Sequence, residues 1–317
     1  MLAIMECAIS FQNLHKTYAG HVEALKGLSL DVQQGEFMGL LGLNGAGKTT
    51  SINVIAGLVR PTSGRVLVNG FDAIKQYRQA HAQVGIAPQE EVLDSSFLNV
   101  TQILVYQAGY FGIAPREATK RADALLQEFG LWEKRKSKVV ELSGGMKRRL
   151  ILAKALIHDP SILILDEPTA GVDVALRHHI WERMTALNKA GKTILLTTHY
   201  LEEAEQLCNR IAIIHNGALV ATGSPHELIT KTLPDQLEIR TDPLLKAIPA
   251  GLEKFKPHLD EDCLCLQGSL SDPHVMNALV SLVQQGQKII SVEQKRARLE
   301  DVFLQLTSSD NARVSVK

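Results

Sequence analysis

The sequence predicts an α/β fold built on a mostly parallel sheet, followed by a small α+β appendage. Three observations predict it. Short apolar strands alternate with helical stretches from about residue 8 to residue 223. One early strand runs directly into a glycine-rich loop and then a helix. The alternation ends near Ser224-Pro225, which divides the 317 residues into a main domain, 1–224, and an accessory domain, 225–317.

The glycine-rich loop is Gly42-Leu43-Asn44-Gly45-Ala46-Gly47-Lys48-Thr49, the G-x-x-x-x-G-K-[ST] pattern of a phosphate-binding loop. Phe37 to Leu41 reads as a buried strand before it, and Thr50 to Gly57 as a helix closed on glycine after it. Glycine permits backbone angles that aim N–H groups at phosphate oxygens, and the helix start adds partial positive charge. Lys48 can reach outer phosphates, and the Thr49 hydroxyl can ligate magnesium.

Ahead of the loop, Ala8 to Phe11 and Leu28 to Val32 read as strands around a loop that holds Tyr18. The Tyr18 ring either stacks on a base or packs as an ordinary tyrosine. Beyond the loop, Gly64 to Val68 and Val84 to Ala87 read as strands. The second ends at Pro88-Gln89, and Gln89 ligates a cation, positions water or serves the turn. From about residue 94 to 160 the pattern is helical, with Ala118, Ala122, Leu125, Leu126 and Phe129 at helical spacing. Val100 to Ile113 carries Tyr106, Tyr110 and Phe111, as either a docking surface or interior packing.

Leu142-Ser143-Gly144-Gly145-Met146 precedes Lys147-Arg148-Arg149 and an apolar helix, so Ser143 stands at a helix cap and the turn offers a second phosphate site. Ile162 to Asp166 is a buried strand ending in Asp166-Glu167. Two carboxylates there imply a cation or bound water, with Asp166 holding magnesium through its water shell and Glu167 taking a proton from an attacking water. Asp173 lies in a turn before a helix marked by Leu176, Ile180, Met184 and Leu187. Thr193 to Thr197 is the next strand, and His199 follows it at the ligand edge of a parallel sheet. Ile211 to His215 and Ala218 to Thr222 form a hairpin around Asn216-Gly217. In the appendage, Gln236 to Arg240, Cys263 to Gln267 and Ile289 to Val292 read as strands, with helices at Val275 to Gln284 and around Leu299, Val302, Phe303 and Leu306.

Lys+Arg and Asp+Glu both number 34, and this zero net charge argues against nucleic acid as the main partner. The longest uncharged stretch, Asn99 to Pro115, is interrupted by Gln and Gly and is no membrane span. The start lacks the basic region of a secretory signal. Cys7, Cys208, Cys263 and Cys265 have no metal-ligand spacing, which suits free thiols in a reducing cytosol.

Taken together, these motifs resemble the nucleotide-binding subunit of ATP-binding cassette (ABC) transporters over about residues 8 to 223. The resemblance implies a P-loop NTPase cassette with a mostly parallel core, an antiparallel β part and a helical signature subdomain at about 94–160. It implies that ATP is contacted by Tyr18, Asn44, Gly45, Ala46, Gly47, Lys48, Thr49 and Thr50 in one copy. Ser143, Gly144 and Gly145 of the signature and Asp173 of the D-loop would contact it from a second copy in an ATP-dependent homodimer. Glu167 would be the catalytic carboxylate, His199 the switch histidine and Gln89 the Q-loop residue, with Mg2+ among Thr49, Gln89 and Asp166. Met146 departs from the commoner glutamine, and Gly-Val-Asp from Gly-Leu-Asp. Leu142 to Leu150, Thr197 to Ala204 and Leu299 to Phe303 resemble bacterial exporter ATPases that work with a separate ABC-2-type membrane permease, and among them the YadG-type ATPases. This implies a peripheral place on the cytoplasmic side of the inner membrane, with the permease contact near Gln89 and Phe97 to Ile113. A soluble ABC ATPase, or an importer ATPase with a regulatory tail, is the alternative.

Overall fold

The structure is a computed structural model and describes residues 7–89, 97–232, 236–245, 247–249, 251–260, 263–270, 272–295 and 297–308. The expected start of the helical region at Asp94 and the polar tail beyond Ser308 lie outside these residues. The chain divides into two compact units at Ser224/Pro225.

The first unit runs β1 (Cys7–Tyr18), β2 (Val22–Gln33), β3 (Phe37–Leu41), α1 (Lys48–Ile55), β4 (Ser63–Val68), β5 (Phe71–Asp72), α2 (Tyr77–Ala82), β6 (Val84–Ala87), α3 (Val100–Tyr110), α4 (Pro115–Glu128), α5 (Gly144–Leu156), β7 (Ile162–Asp166), α6 (Val174–Lys189), β8 (Thr193–Thr198), α7 (Leu201–Leu207), β9 (Arg210–His215) and β10 (Ala218–Gly223). Its main sheet has the order β10-β9-β3-β8-β7-β6, parallel throughout except for β10. Strands β3 and β7 are buried at every residue, so they read as unbroken apolar runs and not as alternating ones. The β9–β10 hairpin turns on Asn216 and Gly217, both at positive φ (49° and 82°), as a tight two-residue turn requires.

A second, antiparallel sheet has the order β2-β1-β4-β5. Strand β1 is much longer than the sequence suggested, and Tyr18 is its last residue instead of a loop residue. Register shifts between Phe11 and Leu14 and between Lys16 and Thr17 interrupt the period-two alternation, which hides the second half of the strand. One core joins the sheets: Phe11, Leu28 and Val66 from the antiparallel sheet meet Met38, Leu40, Ile164 and Leu195 from the parallel one, with Ile52 and Ile55 of α1 among them. This packing fixes the loop between β3 and α1 from both sides.

Helices α3, α4 and α5 form the helical part. The inner face of Val100 to Ile113 is interior packing, and its outer face is open. Val100, Ile103, Leu104 and Ala108 are buried, while Tyr106 and Tyr110 are 61% and 86% exposed. An Asn99–Gln102 capping box starts α3.

The second unit runs α8 (Pro225–Thr232), β11 (Gln236–Asp242), β12 (His258–Asp260), β13 (Cys263–Gln267), α9 (Pro273–Gln284), β14 (Lys288–Lys295) and α10 (Leu299–Thr307). Its sheet has the order β12-β13-β11-β14, all antiparallel. Val275, Ala278, Leu279 and Leu282 of α9 pack with Leu237, Ile239, Leu264 and Leu266. All four cysteines are free, and Cys263 and Cys265 share a face with their sulfurs 3.7 Å apart. Among the described residues, no helix is long and apolar enough to cross a membrane.

Candidate functional site

The phosphate loop is a path only glycine can follow at two points. A Cβ on Gly42 would lie 2.5 Å from the Ile214 carbonyl oxygen, and one on Gly47 (φ 109°) would lie 2.6 Å from that of Ala24. Gly47 is also the N-cap of α1 and provides no side-chain cap, so the first N–H groups of the helix keep their donors for a ligand. Lys48 is 6% exposed and folds back over the loop, its Nζ donating to the Gly42 oxygen at 2.7 Å and the Leu43 oxygen at 3.3 Å. Burial pulls its pKa down, while Glu167 and Asp166 oppose that fall. A cation so placed, over a cradle of glycine backbone, fits a polyphosphate. Asn44, Gly45 and Thr49 are exposed, and Ala46 is buried under the loop. Tyr18 comes to the edge of the loop: its hydroxyl lies 3.4 Å from Thr50 Oγ1, the residue is 39% exposed, and Lys16 Nζ stands 4.9 Å from the ring centre.

The strand order gathers the remaining groups. Strands β3, β8, β7 and β6 are consecutive and parallel, so the loop, His199, Asp166-Glu167 and Gln89 line one carboxyl edge in that order. Glu167 is their hub. Its Oε2 accepts from Gln89 Nε2 at 2.9 Å, and its Oε1 pairs with His199 Nδ1 at 3.1 Å. Its backbone sits at φ 47°, a left-handed conformation a glutamate seldom adopts, and its N–H donates to the Thr197 oxygen at 2.9 Å. Such strain on a buried carboxylate is a mark of a working site. Asp166 accepts a short bond from the Thr197 hydroxyl, and burial pushes its pKa up.

The Ser143 turn lies at the start of α5. Ser143 Oγ accepts from Met146 N at 3.3 Å, and Ser143 and Gly144 are exposed. A Cβ on Gly145 would press on Leu176 Cδ2 at 2.7 Å, so the start of α5 abuts that of α6. Asp173 caps α6, accepting from Leu176 N at 2.9 Å. Among the described residues, no hydrogen bond or ion pair joins Ser143 or Asp173 to the phosphate loop. Lys48, Gln89, Asp166, Glu167 and His199 therefore form one cluster, while Ser143, Gly144 and Asp173 are exposed away from it.

Sequence reasoning missed two buried charges. Arg148 is 6% exposed and donates to main-chain carbonyls at the ends of β6 and β7. A signal was there: Arg148 lies on the same helical stripe as Ile151, Leu152 and Ala155, all buried. Glu203 is fully buried and accepts from Thr169 Oγ1 at 3.0 Å and Trp181 Nε1 at 2.9 Å. Nothing in its local sequence marked it.

A glycine cradle with a buried lysine, on one sheet edge with a strained glutamate, a histidine and a glutamine, defines a nucleotide-hydrolysing cassette. The chain belongs to the family of ABC transporter ATP-binding subunits, which bind and hydrolyse ATP for transport. The ABC transporter family profile matches residues 25–170. The Nod factor export ATP-binding protein I of Burkholderia lata is 41% identical over 304 residues, covering 95% of this chain and 97% of the relative. That of Rhizobium etli is 40% identical over 315 residues, covering 96% and 94%. Among solved structures, an ATP-binding subunit of an ABC transporter is 32% identical with a TM-score of 0.65, covering 71% of this chain and 92% of that one. A dimeric ATP-binding cassette in a post-hydrolysis state, bound to ADP and Pi, is 26% identical with a TM-score of 0.63, covering 68% and 98%. With full-length relatives of this kind, the chain is the ATPase subunit of an ABC exporter.

Proposed function

We propose that two copies of this chain share each ATP, with Lys48 of one copy and Ser143 of the other on the same triphosphate. The observation that carries the catalytic assignment is Glu167, held at φ 47° between Gln89 and His199 on the edge that also carries Lys48. The loop amides from Asn44 to Thr49 and the Thr50 hydroxyl take the phosphates of the first copy. Tyr18 stacks on the base. Ser143, Gly144, Gly145 and Asp173 close the site from the second copy, in keeping with the exposure of Ser143, Gly144 and Asp173.

Glu167 accepts a proton from water as its oxygen bonds the γ-phosphorus, while the bond from phosphorus to the β–γ bridging oxygen breaks and ADP leaves. His199 exchanges its pairing with Glu167 for the γ-phosphate. Thr49, Gln89 and Asp166 offer hydroxyl, amide and carboxylate oxygens, a donor set suited to Mg2+, which would neutralise charge on the phosphates when bound. Because Gln89 donates its nitrogen to Glu167, its oxygen is left for that role.

The partner in this reading is an ABC-2-type permease, which places the subunit peripherally on the cytoplasmic side of the inner membrane. Its docking region is near Gln89 and Phe97 to Ile113, where Phe97, Tyr106 and Tyr110 are exposed and Gln107 and Phe111 line a cleft of about 190 Å3 with His81 and His158. Within the exporter branch, the motifs Leu142 to Leu150 and Thr197 to Ala204 support a place near the YadG-type ATPases.

The test is direct. Lys48→Ala should abolish nucleotide use; retention of near-normal ATPase activity would remove the site from this edge of the sheet.

A further inference from the structure

Arg148 is buried and, among the described residues, makes no ion pair with a carboxylate. Its guanidinium donates only to backbone carbonyls: Nε to Pro168 at 2.7 Å, Nη1 to Pro88 at 2.6 Å and Gln89 at 3.1 Å, and Nη2 to Asp166 at 2.9 Å and Glu167 at 2.8 Å. Burying a guanidinium is costly unless its donors are used, and here all three nitrogens are. An apolar side chain of similar volume would pack α5 onto the sheet without that cost. The charge is retained where two catalytic segments end. One carbonyl pair flanks the Gln89 side chain, and the other three belong to the peptides around Glu167.

The placement bears on the strain at Glu167. A left-handed glutamate between Asp166 and Pro168 persists only if its surroundings over-determine it. Arg148 holds the carbonyl before Glu167, its own carbonyl and the one after it. Fixing these peptides aims the carboxylate at Gln89 and His199. Arg148 is also five residues into the helix that Ser143 caps, about 7.5 Å along a rigid rod. Whatever moves the Ser143 turn moves the guanidinium.

We propose that Arg148 is a positioning residue that sets Gln89 and Glu167 for hydrolysis and ties them to the Ser143 turn of the same copy. This rests on the shared-site reading above. Under it, the Ser143 turn grips one nucleotide while Glu167 of the same copy takes the proton of the water that attacks the other, so Arg148 links the two composite sites. Phosphate engaged at one site firms the catalytic geometry at the other.

The experiment compares Arg148→Met, Arg148→Lys and Glu167→Gln in the full chain, measuring ATP affinity with a fluorescent ATP analogue and steady-state hydrolysis over a range of ATP. Arg148→Met should keep analogue affinity within about twofold and lower kcat by about tenfold or more, because a misaimed base costs rate and not binding. If Arg148 links the two sites, wild-type hydrolysis should depend sigmoidally on ATP, and Arg148→Met should lose that sigmoidicity. Arg148→Lys, with one point charge for five carbonyls, should restore part of kcat. If Arg148→Met fails to fold, Arg148→Lys decides alone: lowered kcat at unchanged affinity supports the proposal, and wild-type kcat overturns it. Loss of kcat strictly in step with lost ATP binding also overturns it, because that is the mark of a structural brace. Should Glu167→Gln itself remain active, the site assignment fails first. Should Glu167→Gln be inactive while Arg148→Met turns over normally, the role of Arg148 fails alone.

Discussion

Tyr18, more than a third exposed, ends β1 with its hydroxyl against Thr50, in the first turn of the loop helix. That places an aromatic ring at the edge of the phosphate loop, with Lys16 over it. Stacking of a base on an aromatic is worth about 1–3 kcal/mol. Tyr18→Ala should therefore weaken ATP binding by roughly fivefold or more, and Tyr18→Phe should leave it near wild type. Equilibrium titration of both variants checks this, and equal affinity for Ala and Tyr would return the residue to a packing role. At this scale the sequence was informative where a local motif marks the residue, as with Lys48, Asp166 and Glu167. It was silent on pairings made by the strand order. Gln89 and His199 lie 78 and 32 positions from Glu167, and only the adjacency of β6, β7 and β8 brings them to one carboxylate. Arg148 was hidden because a basic run reads as solvated surface, although one member of it falls on the buried stripe of its helix.

At the scale of elements, α7 is anchored by a carboxylate in an apolar setting. Glu203 accepts from Trp181 of α6 and from Thr169, in the turn after β7, and it faces the field of Arg177 from α6. Burial is the largest influence on it and pushes its pKa above the ordinary 4.5, against the hydrogen bonds and Arg177, which favour the charge. The fold therefore prefers the protonated acid. That contribution is complete below the unfolded value and is lost as pH rises through the raised folded one. Glu203→Gln keeps an acceptor for Trp181 and Thr169 without a charge to bury. Its melting temperature should exceed that of the wild type at about pH 8, with the gap closing as pH falls toward about 5. Thermal unfolding at several pH values reads this, and a gap that widens on acidification would show that the charged form is the one the fold favours. Elements like α7 and α2 escaped the sequence because they are one to two turns long, too short for a period to declare itself. The parallel strands were plain because full burial makes them continuous apolar runs. Strand β1 was half read because its bulges broke the alternation.

For the whole molecule, the decisive feature is an exposed helix start, Ser143-Gly144, on a chain whose phosphate loop is open to solvent at Asn44, Gly45 and Thr49. In the proposed shared-site reading, each surface is half of a site. A nucleotide that touches both copies binds the closed pair better than the separate chains, and that difference in affinity is what drives closure. Hydrolysis removes it. Glu167→Gln keeps the loop, Lys48 and the Ser143 turn but lacks the base, so turnover should fall by about 10²–10⁴-fold while ATP remains bound. The variant should therefore accumulate as a dimer in ATP and revert to monomer when ATP is removed, as read by light scattering on a sizing column. Adding Ser143→Glu to Glu167→Gln places a carboxylate against the phosphates of the other copy. The dimer should then disappear, while analogue binding to Lys48's side persists. A Glu167→Gln chain that stays monomeric at saturating ATP, or a dimer indifferent to Ser143→Glu, would mean that the triphosphate is enclosed without a second copy and that closure draws its energy from elsewhere.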